Sequence, residues 1–328
     1  GSSRMTKEKF EVNRDGVESP IYQGGKMLSR KHLARIVCTY GMVAMALWSM
    51  LLPTSLALGQ QAGGERSFLL FDGTLYKDKP DFSAYGIRPI SLAYAGALGT
   101  NWHRSPEQLP DKNQVEKVAR ESRTRADHVV IDIEHWPLHG DAQNVGRSIR
   151  KFLIVLEWFK EAAPGLNVGF YGAPPIRDYW RSVKGSTSKE WGAWAHENDA
   201  LRSLADAVDT LYPSLYTFYS DQEGWVRFAR AQIEEARRYG KGKPVYVFLW
   251  PQYHDSNRTL AGTYLPVDYW KLELDTARQY ADGIILWGGW GGNNRPAKWD
   301  DDAVWWKVTK DFIKTIQGPK ASGNLKAE

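Results

Sequence analysis

From residue 67 onward, short apolar runs alternate with longer segments in which apolar residues recur every three or four positions. The runs are SFLLFDG (67–73), ISLAYAG (90–96), HVVIDIEHW (128–136), NVGFYG (167–172), TLYPSLY (210–216), PVYVFLW (244–250) and GIILWGG (283–289). Their length and their content of β-branched and aromatic residues predict strands. Segments 113–124, 144–163, 194–208, 222–239 and 268–281, with a last one near 301–316, carry the amphipathic spacing of helices. Near-continuous apolar strands separated by helices predict a parallel sheet buried on both faces. Seven such units in about 250 residues predict an α/β fold, a TIM-like (β/α) barrel with seven strands instead of eight. A doubly wound open sheet is the alternative, but no Gly-rich phosphate fingerprint follows the first strand.

The third run ends in two acids, Asp132 and Glu134. Side chains on a strand alternate faces, so both point the same way, roughly 6–7 Å apart along the backbone. Like charges at that separation raise the cost of ionising both, and burial adds to it. A fold tolerates this best where the acids do chemistry. In a barrel the active site lies at the C-terminal ends of the strands. Those ends carry Asp72, Tyr94, Asp132, Glu134, Trp136, Tyr171, Tyr216, Tyr219, Trp250, Tyr253, Trp287 and Trp290. Two central acids ringed by aromatics suit glycoside hydrolysis, because a carboxylic acid protonates the leaving oxygen and sugar faces stack on rings. Aromatics that merely cap a barrel core would give part of the same pattern.

The composition is globular, with 42% apolar and 25% charged residues, and its outliers are 15 Trp and 16 Tyr. The net charge of +5 is unevenly distributed. Residues 1–59 hold eight basic and four acidic side chains, which leaves 35 and 34 of the chain's 43 and 38 for the remainder. A nucleic-acid partner would require a clustered basic excess, and the body has none. Within the N-terminal part, Arg30, Lys31 and Arg35 precede 17 uncharged residues, Ile36 to Leu52, and then Ala57-Leu58-Gly59 before Gln60. That order predicts a secretory signal peptide over 27–59, hence a secreted or periplasmic protein with no membrane partner in its mature form. An uncleaved membrane anchor is the other reading, since the apolar run is slightly long for a signal. Residues 1–26 read as a polar extension or expression-tag remnant, 60–317 as the catalytic barrel and 318–328 as a disordered tail. The single cysteine, Cys38, falls in the signal segment, so the mature protein relies on its core and not on disulfides.

Four strand-end motifs together resemble the animal and venom hyaluronidases, glycoside hydrolases on a seven-stranded barrel. The family's D-x-E-x-W-R-P is matched by Asp132-Ile133-Glu134-His135-Trp136-Pro137, and its G-[FY]-Y-x-[YF]-P by Gly169-Phe170-Tyr171-Gly172-Ala173-Pro174. Leu211-Tyr212-Pro213-Ser214-Leu215-Tyr216 resembles [LF]-[YF]-P-S-[IV]-Y, and Ile284-Ile285-Leu286-Trp287-Gly288 resembles V-[IV]-[LI]-W-G. The resemblance spans roughly residues 68 to 315, in order. It implies that Glu134 is the general acid and base, and that Asp132 holds the substrate's acetamide while the acetamide oxygen attacks the anomeric carbon. It further implies that Tyr171, Tyr216 and Trp287 surround the acetamido sugar, with no cofactor and a polysaccharide or oligosaccharide substrate. Trp136, Tyr219, Trp250 and Asp72 join these as candidate substrate contacts. The family's arginine before the proline, suited to a uronate carboxylate, is missing here, because Pro137 follows Trp136 directly. Ile133 stands where a tryptophan is usual, and the family's disulfides are absent. The resemblance therefore implies an N-acetylhexosamine site with the polymer undecided.

Two other readings compete. A protein nucleophile (Asp72, Asp132 or Asp255) with Glu134 as acid would act on a non-acetylated glycan, and a degenerate barrel would bind glycan without cleaving it. The spacing of His128, Asp132, His135 and His139 matches neither a helical metal pair nor a compact structural site, so no metal is expected. The Gly-rich stretch GGWGGNNRP, 288–296, lacks the Lys-Ser/Thr ending of a nucleotide loop.

Overall fold

The computed structural model describes residues 67–105, 107–291 and 295–317. The predicted extension, signal segment and tail lie outside the described residues. The chain begins with β1 (Leu69–Thr74), β2 (Ile87–Pro89), β3 (Ser91–Tyr94), α1 (Lys112–Arg125), β4 (His128–Asp132), α2 (Ala142–Ala162) and β5 (Asn167–Phe170). Three helices follow, α3 (Tyr179–Ser182), α4 (Lys189–Asp199) and α5 (Arg202–Ala207). Then come α6 (Gln222–Gly240), β6 (Tyr246–Leu249), α7 (Val267–Tyr280), β7 (Gly283–Gly288) and α8 (Val304–Gln317).

All ladders are parallel, in two groups: β2-β1-β7-β6 and β3-β4-β5. Two irregular staves join them into a ring. β2 and β3 form one stave interrupted at Ile90, pairing with β1 on one side and β4 on the other. Opposite, residues 210–217 make single bridges, Tyr171 to Tyr212 on one flank and Leu211 to Val245 and Ser214 to Phe248 on the other. The predicted strand 210–216 is therefore present as a stave but not as a continuous ladder. Pro213 has no N–H to give, although its carbonyl accepts from Phe248 N at 2.9 Å. The ring closes with seven staves.

Residues alternate between lumen and helix layer. Phe71, Val130, Tyr212, Tyr216, Tyr246, Phe248, Trp250 and Ile285 fill the interior. Val129, Ile131, Val168, Val247, Leu249, Ile284 and Leu286 pack outward with the inner faces of the helices. Both faces are covered, which explains strands that read as continuous apolar runs. Gly169 is needed where the ring narrows: a Cβ there would sit 2.2 Å from the Thr210 carbonyl and 2.8 Å from the Tyr212 ring. Asp111, Asp141 and Asp221 cap α1, α2 and α6 through their side chains, fixing where each helix starts.

Two boundaries differ from the sequence pattern. The helix expected over 194–208 starts at Lys189 and breaks at Ala200 and Leu201. Both N–H groups turn to carbonyls three residues back, and the buried Asn198 side chain accepts from Ile176 N at 2.8 Å. The strand expected over 128–136 ends at Asp132, so Glu134 stands in the loop above it.

Candidate active site

A cavity of about 170 Å³ opens at the C-terminal end of the barrel. Its floor is made by side chains in the lumen register: Leu92 and Tyr94 from β3, Val130 and Asp132 from β4, and Phe248 from β6. Tyr171, Tyr216, Trp250 and Trp287 stand around it, and Glu134, Arg177, His254 and Asp255 complete the rim. Trp250 meets Trp287 edge-on, centroids 4.9 Å apart at 90°, and Tyr216 lies 5.5 Å from each ring. Trp287 Nε1 donates to Tyr94 Oη at 3.1 Å, and the Tyr171 hydroxyl lies 2.9 Å from Ser214 Oγ. The aromatic walls are thus fixed by neighbours.

Asp132 is held at the top of β4 by the ladders to β3 and β5. Among the described residues no hydrogen bond reaches its carboxyl group, which faces the cavity. Burial, and secondarily the Glu134 carboxylate, push its pKa up to about 8, while Arg177 pulls the other way. Glu134 is the more accessible partner, with its side chain 52% exposed and Oε2 3.8 Å from an Arg177 guanidinium nitrogen. Arg177 reaches in from the loop after β5, donating to Tyr171 Oη at 3.2 Å and Ser214 Oγ at 3.3 Å and lying over the Phe218 ring. Burial opposes its charge, yet Tyr171 and Glu134 outweigh burial and its pKa is raised. Burial, with Arg177 second, lowers His254 to about 4, so this imidazole is neutral at pH 7. Burial likewise raises Tyr171 to about 12 and raises Tyr94 and Tyr216, so these hydroxyls stay protonated.

Of the candidates drawn from sequence, Asp132, Glu134, Tyr171, Tyr216, Trp250 and Trp287 converge on this cavity. Trp136 does not line it. It is buried against Trp102 and Phe152, and borders a neighbouring cavity that shares Glu134, Tyr171 and Arg177 with the first. Asp72 also stays outside. It pairs with Lys79 at 2.6 Å and accepts from Thr74 N and Oγ1, which makes it a brace for the β1 loop. Tyr219 packs at a tilt against Tyr179 and Trp180 on an exposed aromatic patch and does not line the cavity. The sequence reading missed Arg177, which sits seven residues beyond the end of β5 in a loop without periodicity. Among the described residues no group of three His, Cys, Asp or Glu side chains is placed to hold a metal ion. None of the described helices is long and apolar enough to cross a membrane.

One carboxyl group tends to keep its proton, and a second stands nearby at the rim beside a cation. A protonated carboxyl beside a second acid is the pairing that acid catalysis followed by base catalysis requires.

No protein-family model matches the sequence, and no curated protein does. Solved structures do match. Bee venom hyaluronidase is 18% identical with a TM-score of 0.51, covering 67% of this chain and 91% of that one. The same enzyme in complex with a hyaluronic acid tetramer gives 17% and 0.51, covering 76% and 96%. An endo-1,4-β-D-mannanase from Thermotoga petrophila gives 14% and 0.42, covering 76% and 89%. The chain has an α/β barrel like that of the bee venom enzyme.

Proposed function

We propose that this protein is an exported glycoside hydrolase that cleaves a glycan next to an N-acetylhexosamine, retaining the anomeric configuration through the substrate's own acetamide. The observation that carries this reading is Asp132: a carboxyl group on an aromatic-walled cavity floor, without a hydrogen bond from any described residue, beneath a second acid at the rim. An acetamide N–H supplies the donor that Asp132 lacks. An acetamide N–H against Asp132 favours its charged form, so the proton held by the pair passes to Glu134, which donates it to the glycosidic oxygen as the acetamide oxygen attacks the anomeric carbon, giving a cyclic oxazolinium and a free leaving group. Glu134, now a carboxylate, takes a proton from water as that water opens the ring, restoring the starting configuration. Holding the acetamide against the anomeric carbon makes the attack intramolecular, an advantage on the order of several kcal/mol. Tyr171, Tyr216 and Trp287 pack around the sugar, and Trp250 supports them.

The likeness to hyaluronidase supports the glycan class, and the four strand-end motifs support the acetamide mechanism. Neither extends to hyaluronan itself, since the arginine suited to the uronate is missing after Trp136. A thiazoline that mimics the cyclised acetamide should inhibit competitively. An active preparation indifferent to it would refute the mechanism. The rival reading, a protein nucleophile on a non-acetylated glycan, loses Asp72 but retains Asp132 and Asp255, both lining the cavity, as its candidates. Trapping a covalent glycosyl-aspartate would favour it. Export rests on the signal-like segment 27–59, and a secreted product beginning at Gln60 is its test.

A further inference from the structure

A larger cavity, about 470 Å³, adjoins the catalytic one and shares Trp250, Asp255 and Trp287 with it. It lies between two short antiparallel lips. One is pinned by the Gln252 to Tyr264 bridge and by bonds between Tyr253 and residues 262 and 263. The other is pinned by the Trp290 to Pro296 bridge and by Gly291 N to Arg295 O at 2.8 Å. Tyr76 closes one wall beneath the second lip, its hydroxyl 3.4 Å from that of Tyr264. A Cβ at Gly289 would lie 2.6 Å from Tyr76 N, so the lip seats directly on this wall. The slot is therefore preformed, walled by Tyr76, Trp250, Tyr264, Trp287 and Trp290, and large enough to hold a pyranose ring. Flat apolar faces with a polar rim suit a sugar.

Glu134 gives the slot a direction. An acid that protonates a leaving oxygen must border both the sugar being cleaved and the group that leaves. Glu134 borders the catalytic cavity and the 180 Å³ cavity beside Trp136, but not the slot. The leaving group therefore exits past Glu134, and the slot lies on the other side, where the preceding unit of the polymer sits. Charge then restricts that unit. Among the described residues that line the slot, Asp255 is the one carboxylic acid and none is Lys, Arg or His. Arg295, from the second lip, is not on its wall. A uronate there would meet a like charge, and none of the described residues lining the slot offers it a cation.

We propose that the slot is a second sugar subsite for an uncharged pyranose, and that the substrate is a neutral N-acetylated glycan and not a polymer alternating with uronate. This rests on the acetamide reading of the neighbouring cavity. The test is calorimetric binding to Glu134→Gln protein at low salt, using N-acetylglucosamine oligomers of one to four units and hyaluronan oligosaccharides of matched length. Affinity should rise at least tenfold from one unit to two, and Trp290→Ala or Tyr264→Ala should erase that gain without weakening the monosaccharide. Hyaluronan oligosaccharides should bind about tenfold more weakly than neutral ones, and Asp255→Asn should narrow the gap. A monosaccharide that binds with no gain from added units, or hyaluronan binding as tightly as the neutral oligomer, overturns the slot while leaving the acetamide reading standing. Failure of every acetamido sugar to bind overturns both.

Discussion

Replacing Asp132 with asparagine should stabilise the folded protein at alkaline pH and leave it nearly unchanged in acid. Folding moves this carboxyl from water to a cavity floor beneath Glu134, raising its pKa from an ordinary 3.8 to about 8. The folded state thus binds the proton more tightly than the unfolded state. The associated stability is complete below about pH 4 and is lost as pH rises towards 8. Each pKa unit corresponds to about 1.4 kcal/mol, so the ceiling is about 6 kcal/mol. The cavity is open to water, whose screening brings the expected difference down to about 2–3 kcal/mol. For a domain of this size that corresponds to roughly 4–12 °C in melting temperature. The assay is thermal unfolding of wild type and Asp132→Asn from pH 4 to pH 9. The two curves should nearly coincide at pH 4 and separate progressively, with the variant melting higher at pH 8.5. Parallel curves over the whole range would show that folding does not perturb this carboxyl, and the electrostatic description of the site would fail.

Two further predictions concern the surroundings. His254 should titrate near pH 4 by NMR, and Arg177→Met should move that value upward by removing a neighbouring cation; a midpoint near 6.5 in wild type would contradict the burial described here. Gly289→Ala should lower stability by about 1–3 kcal/mol or more, because its φ of +85° is unfavourable for alanine and the added Cβ meets Tyr76 N. A melting temperature unchanged by that substitution would mean that the lip is not seated on Tyr76.

Six of the seven staves were legible as apolar runs because burial on both faces leaves the strands no polar side to show. The stave at 210–217 was also legible as a strand, but Pro213 breaks its ladder, which propensity alone does not reveal. The second stave was read from Ile90 onward, and its first part, Ile87–Pro89, was missed because Arg88 and Pro89 lack an apolar pattern. The lumen register brought Asp132, Tyr171, Tyr216 and Trp287 together as the alternation of side chains requires. Glu134 reaches the same cavity by a different route, from a loop and not from the strand face, because β4 ends at Asp132. Asp72 shows the limit of strand-end reasoning: Lys79, seven residues on, captures it in an ion pair that no periodicity announces. Arg177 and the two lips around Tyr264 and Trp290 belong to loops, whose conformation depends on contacts distant in sequence.

The central claim is that Glu134 cleaves beside an N-acetylhexosamine. Mass spectrometry of products from N-acetylglucosamine oligomers, hyaluronan, chondroitin and peptidoglycan-type glycans, with wild type beside Glu134→Gln, tests it most directly. Wild type should release products ending in an N-acetylhexosamine, and the rate should fall about 10²–10⁴-fold in the variant. Products released only from a non-acetylated polymer, or equal product from the variant, would contradict it.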